Sequence, residues 1–209
     1  MMTDQTEKYL LFAKKWIITA LLFIPTILII HQFWLAIARN ILMAVNYEYP
    51  LLFAPMLITL DWVTLFIHEA GHTIFGIFGF RFLAILGGTL LQILIPTLIL
   101  ASAYWNRQKW LMQLSLFWLG FSWLDTAAYC SDAKYQNLPL IGNLPKSAHD
   151  FTNMLNQMGL LDYYMAIAWI LFSIGVACLL VGLFLPLINI KKPAFVDLSS
   201  DLEEAGLDI

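Results

Sequence analysis

The sequence predicts an all-α fold, a polytopic transmembrane helical bundle of about five spanning helices. Three observations lead there. Of the 209 residues, 61% are hydrophobic and only 12% are charged, whereas a soluble domain carries about 25% charged residues. The apolar residues fall into runs long enough to cross a bilayer, which takes about 20 helical residues. The few ionisable groups within those runs gather in two of them.

The first run, about Trp16 to Ala38, follows Lys14 and Lys15 as a signal peptide would. It is too long for a signal core and has no small-residue cleavage site, so it reads as a retained anchor. The second, about Leu51 to Phe80, holds LFIHEAGHTIFG and ends at Arg81. The third, about Phe82 to Tyr104, contains GGTLLQILIP, and the polar turn Asn106 to Lys109 separates it from the fourth, about Trp110 to Ser131. A loop from about Asp132 to Met158 carries two NLP tripeptides, which read as turns because Asn tolerates unusual backbone angles and Pro resists helix. The fifth run, about Leu160 to Ile190, is longer than a span needs and so tilts or begins as an interfacial piece near Asp162 and Tyr163.

The domain reading is therefore an N-terminal segment 1–15, an integral membrane domain 16–190 and an acidic tail 191–209. The tail holds five of the fourteen acids, so the net charge of −3 describes an end and not a surface. No basic patch with interleaved aromatics points to nucleic acid. Cys130 and Cys178 lie in or beside apolar runs and read as reduced small hydrophobes. Lys and Arg in short loops favour the cytoplasm; they divide almost evenly between the two sides, and those flanking the first helix lean toward a cytoplasmic amino terminus.

Ionisable groups at membrane depth cost at least about 2.5 to 3.5 kcal/mol each on the insertion scale, so they face the bundle interior and mark function. The second run carries Asp61, His68, Glu69 and His72; the fourth carries Asp125, with Asp132 at its end. Helical spacing puts Asp61, His68 and His72 on one stripe and Ser122, Asp125, Tyr129 and Asp132 on another. In HEAGH, imidazoles at i and i+4 reach one tetrahedral Zn²⁺, and the Glu beside the first His is placed as general base. The expected site thus lies between spans two and four, with one Zn²⁺ per chain. The ExxH half of a carboxylate di-iron site is also present in Glu69 and His72, but that architecture requires a second ExxH, and the sequence has none.

HEAGH (His68 to His72) within an apolar helix, followed two helices later by LDTAAYCSDA (Leu124 to Ala133), resembles the membrane-embedded zinc metalloproteases of the site-2 protease type. Residues 51 to 165 are more closely similar to a bacterial subgroup of membrane proteins. Those proteins carry HEAGH, then GG-T-L-x-Q-x-x-x-P (Gly87 to Pro96), a tryptophan-rich helix ending in Asp-Ala, and a loop with His-Asp (His149, Asp150). The resemblance implies a multi-pass protein of a bacterial cell membrane and a membrane protein or peptide as substrate. It also implies an aspartate as third ligand, in a region where the family has an Asp-Gly pair and this chain has Asp132-Ala133.

The expected ligand set is therefore His68, His72 and Asp132, with Glu69 catalytic. Depth within the helices argues instead for Asp125, because Asp132 lies two turns nearer the surface and reaches the site only if the helix end unwinds. His149 and Asp150 can fold back from the loop as ligand or gate. Asp61 is placed to bond a ligand's second nitrogen. Gly87 and Gly88 should permit close approach to span two, and Gln92 should pack there or hold a substrate backbone. The expected activity is hydrolysis of a peptide bond by metal-activated water. Its rival is a non-proteolytic membrane protein that binds or transports metal, for which a general base beside the first His has no use.

Overall fold

A computed structural model describes residues 4–39, 50–141 and 144–188, with side chains in the first stretch from Trp16 to Ala38. The acidic tail and the expected end of the last span at Ile190 lie outside the described residues. The described residues form helices α1 (Asp4–Arg39), α2 (Ala54–Gly76), α3 (Arg81–Trp105), α4 (Lys109–Ser131), α5 (Asp150–Gln157) and α6 (Tyr164–Phe184), with short 3₁₀ turns around α5 and α6 and no strand. Helix α1 begins at Asp4, ahead of the apolar stretch that starts at Trp16, and runs through Pro25.

Among the described residues, three helical stretches are long and apolar enough to cross a membrane: Trp16–Ala38, Arg81–Trp105 and Leu161–Leu187. Such stretches point to a membrane protein. Helices α2 and α4, at 23 residues each, match them in length, but give part of their composition to polar side chains. Large apolar side chains such as Leu21, Phe66, Leu98 and Ile170 face outward from four helices, a surface suited to hydrocarbon. The expected interfacial piece near Asp162 is present as the 3₁₀ turn Leu161–Tyr163.

Helix α2 starts where Pro55 fits the first turn, in which its missing N–H costs nothing. It is shorter than the apolar run that contains it: it ends at Gly76, and Gly79 at φ +75° turns the chain into α3. The α2–α3 hairpin crosses at glycines. A Cβ on Gly71 would strike the Gly87 carbonyl, and one on Gly87 would lie 2.6 Å from the Phe75 Cβ. Helix α4 is the central element, packed on α6, α3 and α1. Its crossing with α6 is equally close, since a Cβ on Gly175 would sit 2.9 Å from the Gly120 carbonyl oxygen. The central core joins Phe33, Leu57, Phe121, Leu124 and Leu179, with the Phe33 and Phe121 rings edge to face at 5.6 Å.

The expected loop between α4 and α6 contains a helix that its Asn and Pro residues conceal. Helix α5 buries Phe151, Met154 and Leu155 against Cys130, Ala133 and Ala168. Those three apolar positions share one helical face. His149 caps its start, its Nδ1 accepting from the Thr152 N–H at 3.3 Å. Both cysteines are free.

Candidate metal centre

His68 and His72 sit one turn apart near the carboxyl end of α2, with ring centroids 4.8 Å apart. Four residues separate His72 from the end of the helix at Gly76, a rise of about 6 Å at 1.5 Å per residue. The sequence run, which continues to Phe80, places the site deeper than that. The shallower position explains how a side chain delivered from outside the long helices can reach it.

That side chain is Asp150, at the first position of α5. Its Oδ2 lies 3.2 Å from the Nε2 of His68 and 3.2 Å from the Nε2 of His72. Three ligand atoms, one each from His68, His72 and Asp150, lie within 4.8 Å of one another. Donors bound about 2.0–2.1 Å from a tetrahedral Zn²⁺ stand about 3.3 Å apart, which matches the two histidine–aspartate separations. Burial opposes ionisation of Asp150, but hydrogen bonds to His68 and His72 outweigh it and hold the carboxyl below its ordinary range.

Both imidazoles are anchored through the other nitrogen. His68 Nδ1 is 2.8 Å from Gln92 Oε1, and His72 Nδ1 donates to the Ala84 carbonyl at 2.9 Å. With protons on Nδ1, the Nε2 lone pairs converge on a carboxylate oxygen. Such a meeting is repulsive unless a proton on Nε2 or a metal cation lies between them, and metal-bound histidines are held in this way. The space is also shaped for a small ion: a Cβ on Gly88 would lie 2.6 Å from His68 Nε2 and 2.7 Å from His72 Nε2. Residue types, separations, orientation and the glycine cradle therefore fit a divalent metal.

The site opens on a cavity of about 670 Å³. Glu69, His68, His72, Asp125, Tyr129 and Asp150 supply its polar wall, and residues 138–141 with Leu144 supply an apolar one. Tyr129 accepts the Asp150 N–H at 3.1 Å and reaches its carboxylate at 3.5 Å.

Asp150, rather than the expected Asp132, stands beside His68 and His72. The Asp132 side chain is fully buried and does not line the cavity, accepting the N–H groups of Asn137 and Leu138 at 2.8 Å each. Its Oδ2 lies 3.6 Å from His149 Nε2. The physical reason is local: α4 ends at Ser131 and Asp132 forms its cap, so the carboxylate turns to the nearest unsatisfied amides. His149 is buried between Asp132 and the Tyr129 ring, whose centroid is 4.4 Å away. Asp125 faces the cavity and accepts from Gln92 at 2.8 Å. Gln92, expected to pack or hold substrate, commits its amide to His68, Asp125 and the Ser122 carbonyl. Asp61 is half-buried two turns before His68 and does not line the cavity. His31 is exposed on α1.

The Gly88 cradle and the bond to the Ala84 carbonyl are absent from the sequence reading. The pair Gly87-Gly88 signalled close packing, but its proximity to the imidazoles depends on the register of α3 against α2. Compared with protein families, curated proteins and solved structures, the chain matches none.

Proposed function

We propose that the chain is a zinc metallopeptidase of a bacterial cell membrane, spanning the bilayer with five helices, α1 to α4 and α6, and hydrolysing peptide bonds of a membrane protein or peptide. The observation that carries this reading is the convergence of His68, His72 and Asp150 on one point, beside a glutamate that faces the same cavity. Zinc held there would supply Lewis acidity and the means to activate water near neutral pH. The residues named here would hold it as a three-ligand site of the catalytic kind.

Glu69 follows the first histidine, where its carboxylate accepts the proton of the attacking water and returns it to the leaving amine. The Asp150 carboxylate supplies the negative charge that two neutral imidazoles lack. Tyr129 holds Asp150 through both its N–H and its carboxylate, which keeps the third ligand in register. The apolar wall at 138–141 and Leu144 suits an apolar substrate segment.

The test is Glu69→Gln in purified protein reconstituted in lipid, with cleavage of transmembrane peptides and zinc content measured together. Turnover should fall about 10²- to 10⁴-fold, with one zinc per chain retained. Equal cleavage by the variant and wild type would remove Glu69 from the mechanism. Zinc binding without cleavage of any peptide by wild type would favour the non-proteolytic metal-binding reading.

A further inference from the structure

We propose that Gln92 is a positioning residue that decides which nitrogen of His68 carries the proton, and that α4 sets its direction. This rests on the metal reading of the site. Gln92 is 2% exposed, so its amide must find both kinds of partner within the protein. Its nitrogen lies 2.8 Å from Asp125 Oδ2 and 3.3 Å from the Ser122 carbonyl oxygen. A backbone carbonyl only accepts, as does an ionised carboxylate. The amide nitrogen is therefore directed to α4, and the amide oxygen is left facing His68 Nδ1 at 2.8 Å.

An oxygen at that position requires the His68 proton on Nδ1 and leaves Nε2 as a lone pair on the Asp150 side. The reversed amide would present an N–H to Nδ1 and move the proton to Nε2, into the place where the metal would bind. His72 needs no such relay, because its Nδ1 bonds to the Ala84 backbone carbonyl, an acceptor that cannot be reversed. One ligand thus takes its tautomer from the main chain of α3. The other takes it from a side-chain amide that is itself oriented by Asp125 and Ser122 on a different helix.

Two variants of similar size separate this role from simple packing. Gln92→Glu, carrying a carboxyl proton on the oxygen that meets Asp125 and the Ser122 carbonyl, keeps an acceptor for His68, whereas Gln92→Met keeps the volume and removes it. Zinc titration of detergent-solubilised full-length protein should show close to wild-type affinity for the Glu variant and about a 10- to 100-fold loss for the Met variant. Nitrogen-15 NMR of histidine-labelled, zinc-free protein, at a pH high enough to keep the His68 imidazole neutral, should place its proton on Nδ1 in wild type and Gln92→Glu, and redistribute it between the ring nitrogens in Gln92→Met. A Met variant that binds zinc as tightly as wild type, or leaves the His68 signals unmoved, overturns the proposal. Wild-type protein that takes up no zinc instead overturns the metal reading, and the nitrogen spectra still decide the relay.

Discussion

His68 and His72 turn their Nε2 atoms to the same oxygen of Asp150, each at 3.2 Å, while their Nδ1 atoms are tied to acceptors on α3. On the proposed metal reading, the third ligand comes from a helix of only eight residues. Elemental analysis of Asp150→Ala should accordingly show nearly complete loss of zinc from a wild-type content of one ion per chain. Retention of that ion would return the assignment to another carboxylate.

Asp132 should behave differently. Its carboxylate accepts two backbone amides, so Asp132→Asn weakens charge-assisted bonds in a buried place and should cost about 1–3 kcal/mol of stability. Thermal unfolding in detergent should drop, and zinc should bind more weakly than in wild type but more tightly than in Asp150→Ala. X-ray absorption at the zinc edge should give the same ligand set as wild type.

Gly88→Ala tests the cradle. The added methyl would meet both imidazole Nε2 atoms, at 2.6 and 2.7 Å, so it should displace the rings from a shared ligand position and abolish zinc binding. The helical content by circular dichroism should stay unchanged, because Ala favours helix more than Gly does.

Gly175→Ala is the matching control. Its Cβ would press on the Gly120 carbonyl and the Leu124 side chain at 2.9 Å each, on a crossing that contains no ligand. Overpacking of this kind costs about 1–3 kcal/mol. The melting temperature should fall while folded protein keeps its full zinc complement.

How far the sequence alone reveals this molecule follows from the range of the interactions involved. Apolar run length is a local property, and it places α1, α3 and α6 well. The i, i+4 spacing of His68 and His72 is also local, and it brings the rings together as expected. The carboxylate that meets the pair is not local: Asp150 reaches His68 across 82 positions, through a loop whose path depends on Asp132 capping α4 and binding two loop amides. Helix α5 was hidden for a related reason. At eight residues it is too short to persist by intrinsic propensity and exists because Phe151, Met154 and Leu155 bury against α4 and α6. The end of α2 falls before the end of the apolar run because hydropathy does not register the turn at Gly79.

The long separation between the two halves of the ligand set bears on biogenesis. As the chain emerges from the ribosome, the histidine pair is made and inserted well before the segment bearing Asp150 exists, and α4 must first be threaded between them. Until then the α2 rings lack the carboxylate that both face in the folded protein. Convergence of the three side chains is therefore a late event in assembly, completed only once α5 has been made.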